Sequence, residues 1–126
     1  MLVRALRTSH ARAQEWRART IRGEVRALAP DLVYAEVGNA LLVEHRAGLM
    51  EAAEVTISLE RLLRIPIGAV STTTLIRNAS AIAFARGLSA YDACYAALAE
   101  ANDALLVTAD RKLAAACARA ELITDP

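Results

Sequence analysis

Hydrophobic residues along the chain follow two spacings. After Asp31, Val33, Val37 and Leu41 recur every fourth residue until Gly48, which is the spacing of a helix with one buried face. The segment 104–108 is instead a short apolar run without alternation, which favours a parallel strand covered on both faces. Together these patterns predict helices at 2–22, 31–47, 51–64, 71–86, 89–102 and 110–118, and apolar segments or strands at 25–29, 65–70, 104–108 and 121–124.

Short apolar strands that are separated by helices predict an α/β fold, here a three-layer α/β/α sandwich with a mostly parallel sheet. The 126 residues suit one domain, 1–126, because no linker-like tract interrupts them. The longest apolar run, 93–99, is far shorter than the roughly 20 residues of a membrane span. No apolar segment of a secretory signal follows Arg4 and Arg7, so we expect a cytoplasmic protein without a membrane partner.

The net charge of +1 conceals an uneven distribution. Seven arginines lie in the first 30 residues, against two acids, Glu15 and Glu24. Arg12 and Arg19 share one helical face, which could contact nucleic-acid phosphates. A solvated helix with intrahelical ion pairs is the favoured interpretation, because no interleaved aromatic residues provide a stacking platform. Trp16 is interpreted as a packing anchor or as part of a partner contact.

Three acids stand out, and each has a local explanation. Asp92 follows Ser89 by three residues, the pattern of a capping box at a helix start. Asp110 directly follows a predicted strand and precedes a helix, so it can act as an N-cap. Glu36 lies in the first turns of its helix, where the macrodipole favours a negative charge.

Topology predicts that these acids converge. Their helices should all begin near the carboxyl edge of a parallel sheet, where open α/β sheets bind ligands. The helix of Asp92 is apolar almost all round, including Tyr91 and Cys94, which predicts a poorly solvated carboxylate. Clustered carboxylates repel one another, and a divalent cation would relieve this repulsion. Oxygen ligands suit Mg²⁺ or Mn²⁺ rather than zinc, since Cys94 and Cys117 are expected to be buried thiols without zinc-site spacing.

Three segments carry a family resemblance, at 29–41 (APDLVYAEVGNAL), 88–93 (LSAYDA) and 105–113 (LLVTADRKL). With these motifs the chain resembles PIN-domain proteins, most closely the VapC-type toxin ribonucleases of toxin–antitoxin pairs. The resemblance implies a metal-dependent endoribonuclease that hydrolyses RNA phosphodiesters with Mg²⁺ or Mn²⁺, binds a cognate antitoxin protein and forms a homodimer. It assigns metal-binding and catalytic roles to Glu36, Asp92 and Asp110, and supporting roles to Asn39 and Thr108.

Arg111 and Lys112 lie beside the proposed site and are candidates for a contact with the RNA phosphate. The chain departs from the family at its start, where the resemblance implies a central strand that ends in the first acid. Residues 1–6 align better with the helix that follows that strand, so we expect the first strand and its acid to be absent and the domain to be incomplete at its N-terminus. Two explanations remain open: a true start that lies upstream, or a degenerate copy with reduced or lost activity.

The alternative function is therefore a catalytically inactive PIN-like module that binds a partner protein or RNA.

Overall fold

The structure, a computed structural model, describes residues 11–123. Each helix and strand that the sequence predicts within this range is present. The predicted helical residues before Ala11, the expected absence of a first strand, and Thr124 of the last predicted strand lie outside the described residues. The elements are α1 Ala11–Ile21, β1 Ala27–Pro30, α2 Val33–Arg46, α3 Ala52–Arg64, β2 Ile67–Val70, α4 Thr72–Arg86, α5 Ala90–Ala101, β3 Leu106–Thr108, α6 Arg111–Ala115 and β4 Ala120–Leu122.

The α/β class that the sequence predicts is confirmed. In the described part of the chain, β1 pairs with β2 and β3 pairs with β4. β3 and β4 are parallel, with Leu106, Val107 and Thr108 opposite residues 120, 121 and 122. The parallel arrangement requires a crossover between the two strands, and the segment that contains α6 provides it.

The described residues form two compact units, and the first comprises the chain up to Ala27 together with Val33–Ile67. Within it α2 and α3 pack against each other. Helical periodicity explains this packing, because the buried positions of α2 repeat every fourth residue and those of α3 every third or fourth. These buried residues are Val33, Val37 and Leu41 on α2 and Val55, Ser58 and Leu62 on α3.

The second unit comprises Leu28–Leu32 together with the chain from Gly68 onward. Its core is built where α4 packs against α5 and where α5 and α6 contact β3. Small residues on the buried face of α5 allow this packing. The core residues are Leu75, Ala79, Leu88, Ala93, Cys94, Ala96, Ala97, Leu98, Leu106 and Leu113. Cys94 is buried, as the sequence predicts, whereas Cys117 is only partly buried.

Several elements are shorter than predicted because the chain turns earlier. β3 begins at Leu106 rather than at residue 104, since the Ala104 N–H donates to the Ala99 carbonyl and closes α5. β2 begins after Pro66, because the Ile65 N–H still bonds to α3 and proline has no N–H to donate. Within residues 11–123, no helix combines the length and the apolar character that a membrane span needs.

Candidate active site

Asp92 lies in the first turn of α5, where Ser89 is the N-cap. The Asp92 N–H donates a hydrogen bond of 3.1 Å to the Ser89 hydroxyl, as the capping pattern predicts. This bond fixes the start of α5 and therefore the position of the Asp92 backbone. The carboxyl group of Asp92 is only partly exposed.

Asp110 is held in the turn between β3 and α6 by hydrogen bonds on both sides. Its N–H donates to the hydroxyl of Thr108 at 3.0 Å, and its Oδ1 accepts from the N–H of Leu113 at 3.0 Å. The predicted N-cap is therefore present. Thr108 is buried, and its hydroxyl orders the turn that carries the Asp110 carboxylate. This hydrogen bond is compatible with the predicted supporting role of Thr108, which stays a prediction.

The two carboxylates interact electrostatically within the second unit. Burial is the main cause that raises the pKa of Asp92, and the negative charge of Asp110 raises it further. A hydrogen bond with Ser89 and the positive charge of Lys112 act in the opposite direction. The structure therefore brings together Asp92, Asp110 and Lys112, three of the residues that the sequence selects.

Arg111 and Lys112 are both exposed in α6, directly after Asp110. Their positive charges lie next to a carboxylate in the sequence, and the charge of Lys112 reaches Asp92 as well. Exposed cations in this position are free to contact a phosphate group of a ligand. Their predicted role as phosphate contacts is compatible with this placement and stays a prediction.

Glu36 and Asn39 belong to the first unit. Both are exposed on α2, and a spacing of three residues puts them on the same face of that helix. Glu36 lies in the first turn, where the macrodipole stabilises its charge, as the local explanation requires. The family resemblance is the basis for assigning Glu36 to the metal site and Asn39 to a supporting role.

Two features of the second unit are not evident from the sequence. Asp31 holds the start of α4, because its Oδ1 accepts the Thr72 N–H at 3.2 Å while its own N–H donates to the Val70 carbonyl at 2.8 Å. Tyr91 is 65% exposed, although the composition of α5 places it in an apolar surrounding. The exposure follows from the packing of α5, whose buried residues begin only at Ala93, and the sequence carries no signal for it.

The basic segment at the start of the described chain has the ion pairs that its sequence predicts. Arg12 bonds to Glu15 at 2.7 Å. Arg12 and Arg19 also lie over the ring of Trp16, 5.1 and 4.7 Å from its centroid. These contacts bind the arginines within α1 itself, which agrees with the interpretation as a solvated helix.

The chemistry of the acid pair fits a divalent cation. Both donors are carboxylates, whose oxygens suit Mg²⁺ or Mn²⁺. Burial is the main cause that raises the pKa of Asp92, and a cation would relieve the smaller contribution that comes from the negative charge of Asp110. The candidate metal ligands are limited to this pair of acids, because among the described residues no three His, Cys, Asp or Glu side chains form a group that could hold a metal ion. An ion on this pair would keep most of its coordinated waters, as Mg²⁺ commonly does.

Carboxylates that follow a parallel strand and begin a helix lie where open α/β sheets bind ligands, and a metal ion held there can assist phosphodiester chemistry. The PIN-domain family model matches residues 1–119, so the chain belongs to the PIN-domain family. Ribonuclease VapC3 of Pyrobaculum aerophilum is 37% identical over 86 residues, which are 67% of this chain and 66% of that protein. The crystal structure of PAE2754 from Pyrobaculum aerophilum is 28% identical, with a TM-score of 0.74 over 97% of this chain and 84% of that one.

Proposed function

We propose that the chain is a divalent-cation-dependent endoribonuclease, the toxin of a toxin–antitoxin pair. The observation that carries the proposal is the position of Asp92 and Asp110 at the starts of α5 and α6 in a PIN-domain chain, where the charge of Asp110 contributes to the raised pKa of Asp92. The similarity to a protein named ribonuclease VapC3 supports RNA as the substrate. Phosphodiester hydrolysis needs stabilisation of negative charge, and a carboxylate pair provides it only together with a cation.

Asp92 and Asp110 would hold the ion, which we propose to be Mg²⁺ or Mn²⁺. When bound, the ion supplies Lewis-acid chemistry, activating water and offsetting charge on the phosphate oxygens. Thr108 and Leu113 keep Asp110 in place through the two hydrogen bonds at its backbone and side chain. Arg111 and Lys112 bind the phosphate group of the RNA. The resemblance adds Glu36 as a further acid and Asn39 as its support.

The family resemblance also supplies the partners. We propose a cognate antitoxin protein, a homodimer of the chain, and action in the cytoplasm, where its RNA substrate is found.

Substitution of the acids tests the proposal. We expect Mg²⁺- or Mn²⁺-dependent cleavage of single-stranded RNA by the unaltered chain and its loss in Asp110→Asn. Asparagine caps a helix as well as aspartate does, so this variant removes the charge while the N-cap remains. Glu60→Gln, which removes an exposed acid of α3, is the matched control and should cleave normally. Equal cleavage by both variants would contradict the assignment, and loss in Glu36→Gln would support the third acid.

The second candidate function is an inactive PIN-like module that binds a partner protein or RNA. It is favoured by the finding that no three acids within residues 11–123 form a metal-binding group. Calorimetry with Mn²⁺ separates the two functions. Binding of the ion that is lost in Asp92→Asn supports the nuclease, whereas RNA binding without any effect of Mn²⁺ on affinity or cleavage supports the module.

A further inference from the structure

Exposed aromatic rings are rare in this chain. Among the described residues, Phe84 is 92% exposed and Tyr91 is 65% exposed, whereas Trp16, Tyr34 and Tyr95 are partly covered. Tyr91 directly precedes Asp92 in the first turn of α5, so their Cα atoms are about 3.8 Å apart. An aromatic face in water next to a candidate acid is a surface that a flat apolar ligand can cover.

The charges at the candidate acid pair limit how RNA can be held. Asp92 and Asp110 repel a phosphate, and Arg111 and Lys112 attract it, so the four formal charges cancel. Before any cation binds, this site therefore offers little net electrostatic attraction for the RNA backbone. A contact with the uncharged nucleobase would add affinity that does not depend on these charges.

We propose that Tyr91 is a stacking platform for the nucleobase next to the phosphodiester that is cleaved. The inference deepens the proposed function and rests on its RNA substrate. Stacking on an aromatic ring requires an unpaired base, so the substrate class is single-stranded RNA or a loop. Because every base has a π-face, Tyr91 adds affinity with little choice of sequence. The ring carries the interaction, and the hydroxyl group is dispensable.

The test measures RNA affinity in the absence of divalent cations, so that it does not depend on cleavage. The probes are fluorescently labelled oligoadenylate and a strand of the same length with abasic ribose-phosphate units, and anisotropy gives Kd. We expect Tyr91→Ala to bind oligoadenylate about 5- to 150-fold more weakly, the usual effect of losing one stacked base. Tyr91→Phe keeps the ring and should bind like the unaltered chain. On the abasic strand, Tyr91→Ala should cause no loss.

Phe84→Ala is the matched control, since it removes the other exposed aromatic ring of the second unit. Both positions are exposed, so we expect both alanine variants to fold, and circular dichroism checks this. The inference is overturned if Tyr91→Ala binds normally, loses affinity equally for the abasic strand, or loses no more than Phe84→Ala does. It is also overturned if the unaltered chain does not bind oligoadenylate.

The experiments distinguish a failure of the proposed function from a failure of the stacking contact. If Tyr91 supports binding to oligoadenylate but no RNA is cleaved with Mg²⁺ or Mn²⁺, the stacking contact stands and the nuclease assignment does not. If RNA is cleaved while Tyr91→Ala binds and cleaves normally, the stacking contact is wrong and the nuclease assignment stands.

Discussion

Replacement of Thr108 by valine isolates the hydrogen bond that orders the turn carrying Asp110. Valine has nearly the same shape and an equal preference for strands, so it fits at the end of β3. The parallel pairing is retained, because the Thr108 carbonyl still accepts the Ile123 N–H at 2.8 Å. The variant removes only the hydroxyl that accepts the Asp110 N–H at 3.0 Å.

The expected cost follows from the burial of this bond. Thr108 is 8% exposed, so valine leaves the Asp110 N–H without its partner in a partly buried position. An unsatisfied buried donor costs about 1–3 kcal/mol. For a domain of this size, each kcal/mol lowers the Tm by roughly 4 °C. The same loss frees the Asp110 carboxylate to move, and misplacement by about 1 Å lowers a catalytic rate by about 100-fold.

Two measurements check this reasoning. Urea denaturation gives the change in the free energy of unfolding, and amide hydrogen exchange reports the Asp110 N–H directly. We expect its protection to fall in Thr108→Val and to persist in Thr108→Ser, which keeps the hydroxyl but loses a buried methyl group, at about 1 kcal/mol. We expect the rate of RNA cleavage to fall in Thr108→Val and to persist in Thr108→Ser, in parallel with the protection of the Asp110 N–H rather than with the free energy of unfolding. A valine variant with unchanged stability and unchanged protection would refute the role of this bond.

Three further predictions concern single residues. Burial and Asp110 raise the pKa of Asp92 from 3.8, so folding favours the neutral form of this carboxyl group. We therefore expect urea denaturation to show Asp92→Asn as more stable than the unaltered chain at neutral pH without divalent cations. This gain in stability should vanish as the pH falls below 3.8. Gly38→Ala should raise the free energy of unfolding by up to about 1 kcal/mol, because its new Cβ meets the nearest atom, Cδ2 of Leu59, at an ordinary 3.9 Å; destabilisation would contradict this. Gly87→Ala should lower the free energy of unfolding by about 1–2 kcal/mol, because Gly87 ends α4 with a φ of 65°, where a side chain is strained. An unchanged Tm would contradict the left-handed cap.

The helix starts of the second unit could be predicted from the sequence because their signals are local. Ser71 and Ser89 cap α4 and α5, and Asp110 caps α6, each through a backbone N–H two or three residues further on. Such bonds need only the residues on both sides of the helix start. The sequence patterns predict β3 and α6 longer than they are. They do not show how far α5 continues, and the bond from the Ala104 N–H to the Ala99 carbonyl delays the start of β3.

The candidate site was predictable only in part, for a similar reason. Parallel strands and their helices imply that Asp92 and Asp110 approach each other, and the pKa of Asp92 agrees. No periodicity reveals that Tyr91 is exposed or that Asp31 binds the start of α4, because both depend on which neighbours pack around the first turn of a helix. The contribution of Glu36 remains an implication of the family resemblance.

The local and the catalytic interpretations of Asp110 are compatible, and this affects how the site should be probed. A cap uses one carboxylate oxygen, here Oδ1 toward the Leu113 N–H, and a carboxylate has two oxygens that accept. The capping bond from the Leu113 N–H therefore also holds the Asp110 carboxylate in one orientation at the start of α6. Asp110→Ala would remove the cap together with the charge and destabilise the turn by about 1 kcal/mol, so lost activity could not be assigned to either. Asp110→Asn retains the cap, and loss of cleavage at unchanged stability then reports on the charge alone.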